Sequence, residues 1–118
     1  MADWYRQKAW STEIEEFYFS KLKKSRDKAQ YLKIQAIELV ETKQTQLLDV
    51  AEMLLNKLFT DFPENRFDRS SSLVTMGKIY DLRGNPDKAL AYYKQAMEFE
   101  KVYPQVKLRH ILILLSWL

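Results

Sequence analysis

Apolar residues recur three and four positions apart almost from end to end of this chain. That spacing gathers side chains on one face of an α-helix. Ile14, Phe17, Tyr18 and Leu22 lie on or near one stripe and predict a first helix over 13–24. Thr12 and Glu15 read as a capping box, and Glu13 and Glu16 favour the same helix start. After a charged run at 23–27, Leu32, Ala36 and Leu39 form a second stripe with Tyr31 and Ile34 beside it, predicting a helix over 27–41. The polar stretch 42–46 reads as a loop. Leu48, Ala51, Leu55, Leu58 and Phe59 then predict a third helix over 47–60, stopped by Pro63. Leu73, Met76, Gly77 and Tyr80 predict a fourth over 70–83. Gly84 tolerates the positive φ that ends a helix, Asn85 caps the next one, and Pro86 suits its first turn. The fifth helix is predicted over 86–102, with a short sixth between 105 and 118. The predicted fold class is all-α, with five to six helices.

The chain is weakly similar to itself. Leu32, Ala36 and Leu39 recur in register as Leu73, Gly77 and Tyr80, and Phe62-Pro63 recurs as Tyr103-Pro104. Ala51, Leu55 and Leu58 correspond to Ala89, Tyr93 and Ala96 at a slightly shorter offset, which a longer loop after Glu41 explains. Two antiparallel helical hairpins behind a leading helix are the economical arrangement. Leading helix 13–24, first hairpin 27–63, second hairpin 70–104 and apolar segment 105–118 are read as one domain over 1–118.

The second hairpin resembles a tetratricopeptide repeat, a helix-turn-helix unit that stacks on its own kind. Leu73 stands in the Trp-type position, Met76-Gly77 replaces Leu-Gly, and Tyr80, Ala89, Tyr93 and Ala96 fit the pattern directly. Small Gly77, Ala89 and Ala96 let helices approach while Leu73, Tyr80 and Tyr93 fill the gaps. Pro104 lies later than the pattern puts it, and in the first hairpin Gln35 stands where Leu is expected. The resemblance implies hairpins stacked in a short right-handed superhelix, whose first helices line a concave groove for a peptide or partner helix. Carried over by position, that groove is lined by Gln30, Lys33, Ile34 and Ile37 from one hairpin, and by Ser71, Val74, Thr75, Lys78 and Asp81 from the other. Ile37 and Val74 stand where family members that clamp a terminal carboxylate need polar groups, which argues against chaperone tails. Lys33 and Lys78 favour an acidic partner segment.

Composition narrows the chemistry. The 118 residues include two glycines, one histidine and no cysteine. Two glycines do not build a phosphate-cradling loop, and the absence of cysteine excludes disulfides and thiolate metal sites. The lone His110 sits in an apolar tail with no Gly-x-Ser-x-Gly turn for a nucleophile. The expectation is a non-catalytic cytoplasmic protein that binds another protein, without cofactor or metal. The apolar tail 108–118 offers a second reading, self-association. Net charge is +3, and the basic run 21–28 offers a third, weak nucleic-acid binding. Aromatic Trp4, Tyr5 and Trp10 are expected to cover the end of the helical stack.

Overall fold

The structure, a computed structural model, describes residues 4–103. The predicted sixth helix, His110 and the apolar tail lie outside the described residues. Among those described there are five helices and no strand: α1 (Thr12–Lys24), α2 (Lys28–Glu41), α3 (Thr45–Asp61), α4 (Arg69–Leu82) and α5 (Pro86–Val102). The chain forms two compact units, Met1–Pro63 and Glu64–Leu118. The boundary follows the proline that was expected to close the first hairpin.

In the first unit, the cap of α1 is Ser11 rather than Thr12. The Ser11 hydroxyl accepts the Ile14 N–H at 3.1 Å. Glu15 is not part of a capping box, because its carboxylate accepts the indole N–H of Trp10 at 2.8 Å. Asp27 caps α2 by accepting from Gln30 N–H. At the other end of α2, the Thr42 hydroxyl bonds back to the Leu39 carbonyl at 2.7 Å and Lys43 takes a positive φ of 60°. These two residues turn the chain so sharply that α3 starts at Thr45, earlier than predicted. Thr45 and Gln46 are polar because they form an exposed first turn, not because they form a loop. α2 and α3 pack together as an antiparallel hairpin. Leu32, Ala36 and Leu39 meet the requirement for a core on one helix, and Leu47, Leu48, Ala51, Leu54, Leu55 and Leu58 on the other; all are buried. Of the three consecutive aromatics, Tyr18 is fully buried, Phe19 is half-buried and Phe17 is exposed, as one helix face requires.

In the second unit, α4 and α5 form another hairpin through a turn with the predicted chemistry. Gly84 adopts φ 79°, the Asn85 N–H reaches back to the Tyr80 carbonyl at 2.9 Å, and the Asn85 side chain accepts from Lys88 N–H. Leu73, Met76, Ile79, Ala89, Tyr93 and Ala96 are buried. Gly77 lies directly beneath Tyr93: a Cβ there would stand 2.3 Å from the ring's Cε1 and 2.6 Å from Cδ1. Burial, with Asp81 adding to it, pushes the Tyr93 hydroxyl up to about 12. Deeper in the hairpin, the Ser70 hydroxyl donates to the Glu100 carboxylate, and both residues are buried.

Candidate functional site

The most elaborate polar arrangement in the first unit joins residues 4–10 to α2. Gln35 interrupts the apolar stripe of that helix, yet it is fully buried. Both ends of its amide are used on one residue. Its oxygen accepts the Gln7 backbone N–H at 2.9 Å, and its nitrogen donates to the Gln7 carbonyl at 2.8 Å. One turn further along α2, Glu38 takes both flanking cations. Arg6 donates to Glu38 at 2.9 Å, and Lys8 donates to its other oxygen. One turn earlier, Tyr31 packs against Trp4 and Tyr5 at ring-centroid distances of 5.1 and 4.6 Å. Tyr31, Gln35 and Glu38 follow i, i+4, i+7, so they share one flank of α2.

Trp4 also contacts Tyr18 of α1 at 5.4 Å, and Trp10 contacts the same ring at 5.6 Å. The aromatic N-terminal residues thus pack on α1 and α2 within the first unit. The Glu38 carboxyl is held below its usual 4.5, first by the hydrogen bond from Lys8 and further by Arg6, against burial that pushes it up. The sign follows directly. The ion pairs add stability above the unfolded carboxyl value, and that stability is lost as pH falls through the lowered folded value. A carboxyl-carbon NMR titration should place the Glu38 midpoint below 4.5, and Lys8→Ala should move it upward. An unmoved midpoint would mean that Lys8 does not hold this carboxylate.

The groove positions inferred from the family resemblance divide into two sets. Gln30, Lys33, Ile34 and Ile37 on α2 are half-exposed, as are Ser71, Lys78 and Asp81 on α4. Val74 and Thr75 are buried, at 3% and 5% exposure, so a partner meeting the folded surface does not reach them. The apolar side chain of Val74 and the Thr75 hydroxyl, which donates to the Ser71 carbonyl at 2.8 Å, turn away from solvent. They lie to either side of Ser71 and Lys78 on the helix, and spacing alone does not show how much of that arc is covered.

Among the described residues, each unit carries an open cavity. In the second unit, a cavity of about 450 Å³ is lined by Arg69, Leu73, Phe99, Val102 and Tyr103 among others. In the first, a cavity of about 280 Å³ brings together Phe19, Leu22, Lys23, Lys28, Lys57 and Phe62. Part of the basic run is therefore beside a hollow, although Lys57 is paired with Asp61 at 2.9 Å and Lys28 donates to the Ser25 carbonyl. Lys21, Lys23, Lys24 and Arg26 are exposed. Among the described residues, no group of three or more His, Asp or Glu side chains is placed to hold a metal ion. No described helix is long and apolar enough to cross a membrane.

Comparison with family models, with curated proteins and with solved structures found no match to this chain. Sequence reasoning missed the partnership of Gln7, Gln35 and Glu38. The available signal was Gln35 itself, an amide at a position where the stripe calls for Leu.

Proposed function

We propose that this chain is a non-catalytic protein-binding scaffold built from tetratricopeptide-like helical hairpins. The observation that carries the reading is the close approach of α4 and α5 at Gly77, where a glycine lies under the ring of Tyr93. A small residue facing an aromatic ring across a tight hairpin is the packing device the family pattern encodes, and Ala89 and Ala96 are buried on the same helix as Tyr93. Hairpins packed this way leave the outer faces of their first helices to meet partners. On α2 that face carries Gln30, Lys33, Ile34 and Ile37; on α4 it carries Ser71, Lys78 and Asp81. A lysine on each face suits an acidic segment of another protein, and on α2 Ile34 and Ile37 add apolar contact beside Lys33.

Affinity capture with the full chain, followed by direct titration of the captured protein's acidic segment, tests the reading. Lys33→Glu and Lys78→Glu, singly and together, should weaken that titration by about tenfold or more, as expected for charge reversal against an acidic partner. Equal affinity in all variants would remove these faces from consideration.

A further inference from the structure

Beside the packing of Trp4 and Trp10 on Tyr18, the polar contacts of residues 4–10 on α2 have the form of a bound peptide. Gln35 does not read a side chain. It pairs with the N–H and C=O of a single backbone residue, the way an added strand is held by main-chain bonds. Such pairing is blind to the identity of the residue at that position. Selectivity comes from its neighbours, which meet α2 at regular intervals. Three residues before Gln7, an indole packs on Tyr31. One residue before and one after, two cations converge on Glu38, whose side chain is only 13% exposed.

The bound segment is also locally folded onto itself, since the Gln7 side-chain amide donates to the Trp4 carbonyl at 3.1 Å. It contains no helix. Ring contacts of Trp4 and Tyr5 with Tyr31 join the hydrogen bonds and ion pairs in tying it to α2, and segments held by few backbone bonds open locally without unfolding the rest. The Gln7 N–H and C=O belong to the main chain and no substitution removes them, so an apolar residue at position 35 would take away the partner of both.

We propose that the α2 flank of Tyr31, Gln35 and Glu38 is a receptor for a non-helical peptide carrying an aromatic residue and two closely spaced cations, which the chain's own residues 4–10 occupy in cis. A partner segment of the same chemistry displaces the strap and takes its place. The receptor lies on a different flank of α2 from Lys33 and Ile37, so it stands or falls apart from the acidic-partner face. A short tether gives the strap an effective concentration on the order of millimolar. The wild-type chain therefore resists peptides in trans unless their affinity is high.

The test uses the full chain and a fluorescein-labelled synthetic peptide of residues 3–10. Trp4→Ala with Lys8→Glu weakens the strap and leaves Tyr31, Gln35 and Glu38 in place. This variant is expected to bind the peptide at least about tenfold more tightly than wild type, since the tethered competitor is weakened. Adding Glu38→Lys to the same chain is expected to abolish that gain. Peptide binding no tighter in the strap variant than in wild type, or unaffected by Glu38→Lys, overturns the proposal. Should the strap variant fail to fold, amide exchange in the wild-type chain decides. The Gln7 amide is expected to exchange at least a hundredfold faster than that of Leu55 in α3. Exchange of both at one common rate would make residues 4–10 part of the core and overturn the receptor.

Discussion

Gly77→Leu is expected to destabilise the second hairpin by about 3 kcal/mol, at the upper end of what overpacking costs. The sign is decided by comparing two effects. Removing a glycine from the middle of a helix ordinarily stabilises it by roughly 0.5–1 kcal/mol, because glycine loses the most freedom on folding. Against this, even the first carbon added at Gly77 would stand 2.3 Å from the Tyr93 ring. Tyr93 is 5% exposed, so the ring has little room to withdraw. The clash wins for alanine, and for leucine by more. Urea unfolding followed by circular dichroism should show the loss in Gly77→Leu and a smaller one in Gly77→Ala. Pairing Gly77→Ala with Tyr93→Leu should recover part of the alanine penalty, because the two residues are in contact and their effects do not add. A more stable Gly77→Ala would show that α4 and α5 do not meet there.

Tyr18→Ala is expected to cost about 3–5 kcal/mol, the range for truncating a buried aromatic side chain. Tyr18 is fully buried, and the rings of Trp4, Trp10 and Phe19 lie 5.1–5.6 Å from its own. Its hydroxyl donates to the Tyr31 carbonyl at 3.1 Å, which joins α1 to α2. Tyr18→Phe separates the two contributions. It keeps the ring and removes the hydrogen bond, with an expected loss of about 1 kcal/mol. Burial raises the hydroxyl's pKa, so the proton stays on and the bond survives through neutral pH. Equal losses in the two variants would mean that the ring contacts contribute nothing. Because Trp4 and Trp10 both touch this ring, tryptophan fluorescence reports the same event.

Helix positions were legible wherever a local rule acted alone. The stripe of Leu48, Ala51, Leu55 and Leu58 marked α3, and Gly84-Asn85-Pro86 marked the α4–α5 turn, because a positive φ, a side-chain cap and a missing N–H are properties of those residues themselves. The start of α3 was misjudged for the opposite reason. Thr45 and Gln46 are polar whether they lie in a loop or on the exposed turn of a helix, and hydropathy does not distinguish the two. The cap of α1 was off by one residue, since Ser11 and Thr12 are both good caps and Glu15 was drawn away by Trp10.

At the candidate sites the division is sharper. Gln30, Lys33, Ile34 and Ile37 are half-exposed on α2. Val74 and Thr75 have the same spacing on α4 and are buried nevertheless. Periodicity orders residues around a helix, but it does not say how wide an arc the neighbours cover.

The amino-acid pattern by itself determined that the chain is helical, where its hairpins turn, and that Gly77 and Tyr93 belong to a tight helix pair. Those are consequences of spacing and of backbone preferences that act over a few residues. Only the tertiary structure decided that Gln35 holds the backbone of Gln7 and that Arg6 and Lys8 meet at Glu38. These partners lie about thirty residues apart, as the Gln7–Gln35 pair at a separation of 28 illustrates. A hydrogen bond requires a particular distance and direction between two groups, and no periodicity within either segment carries that information.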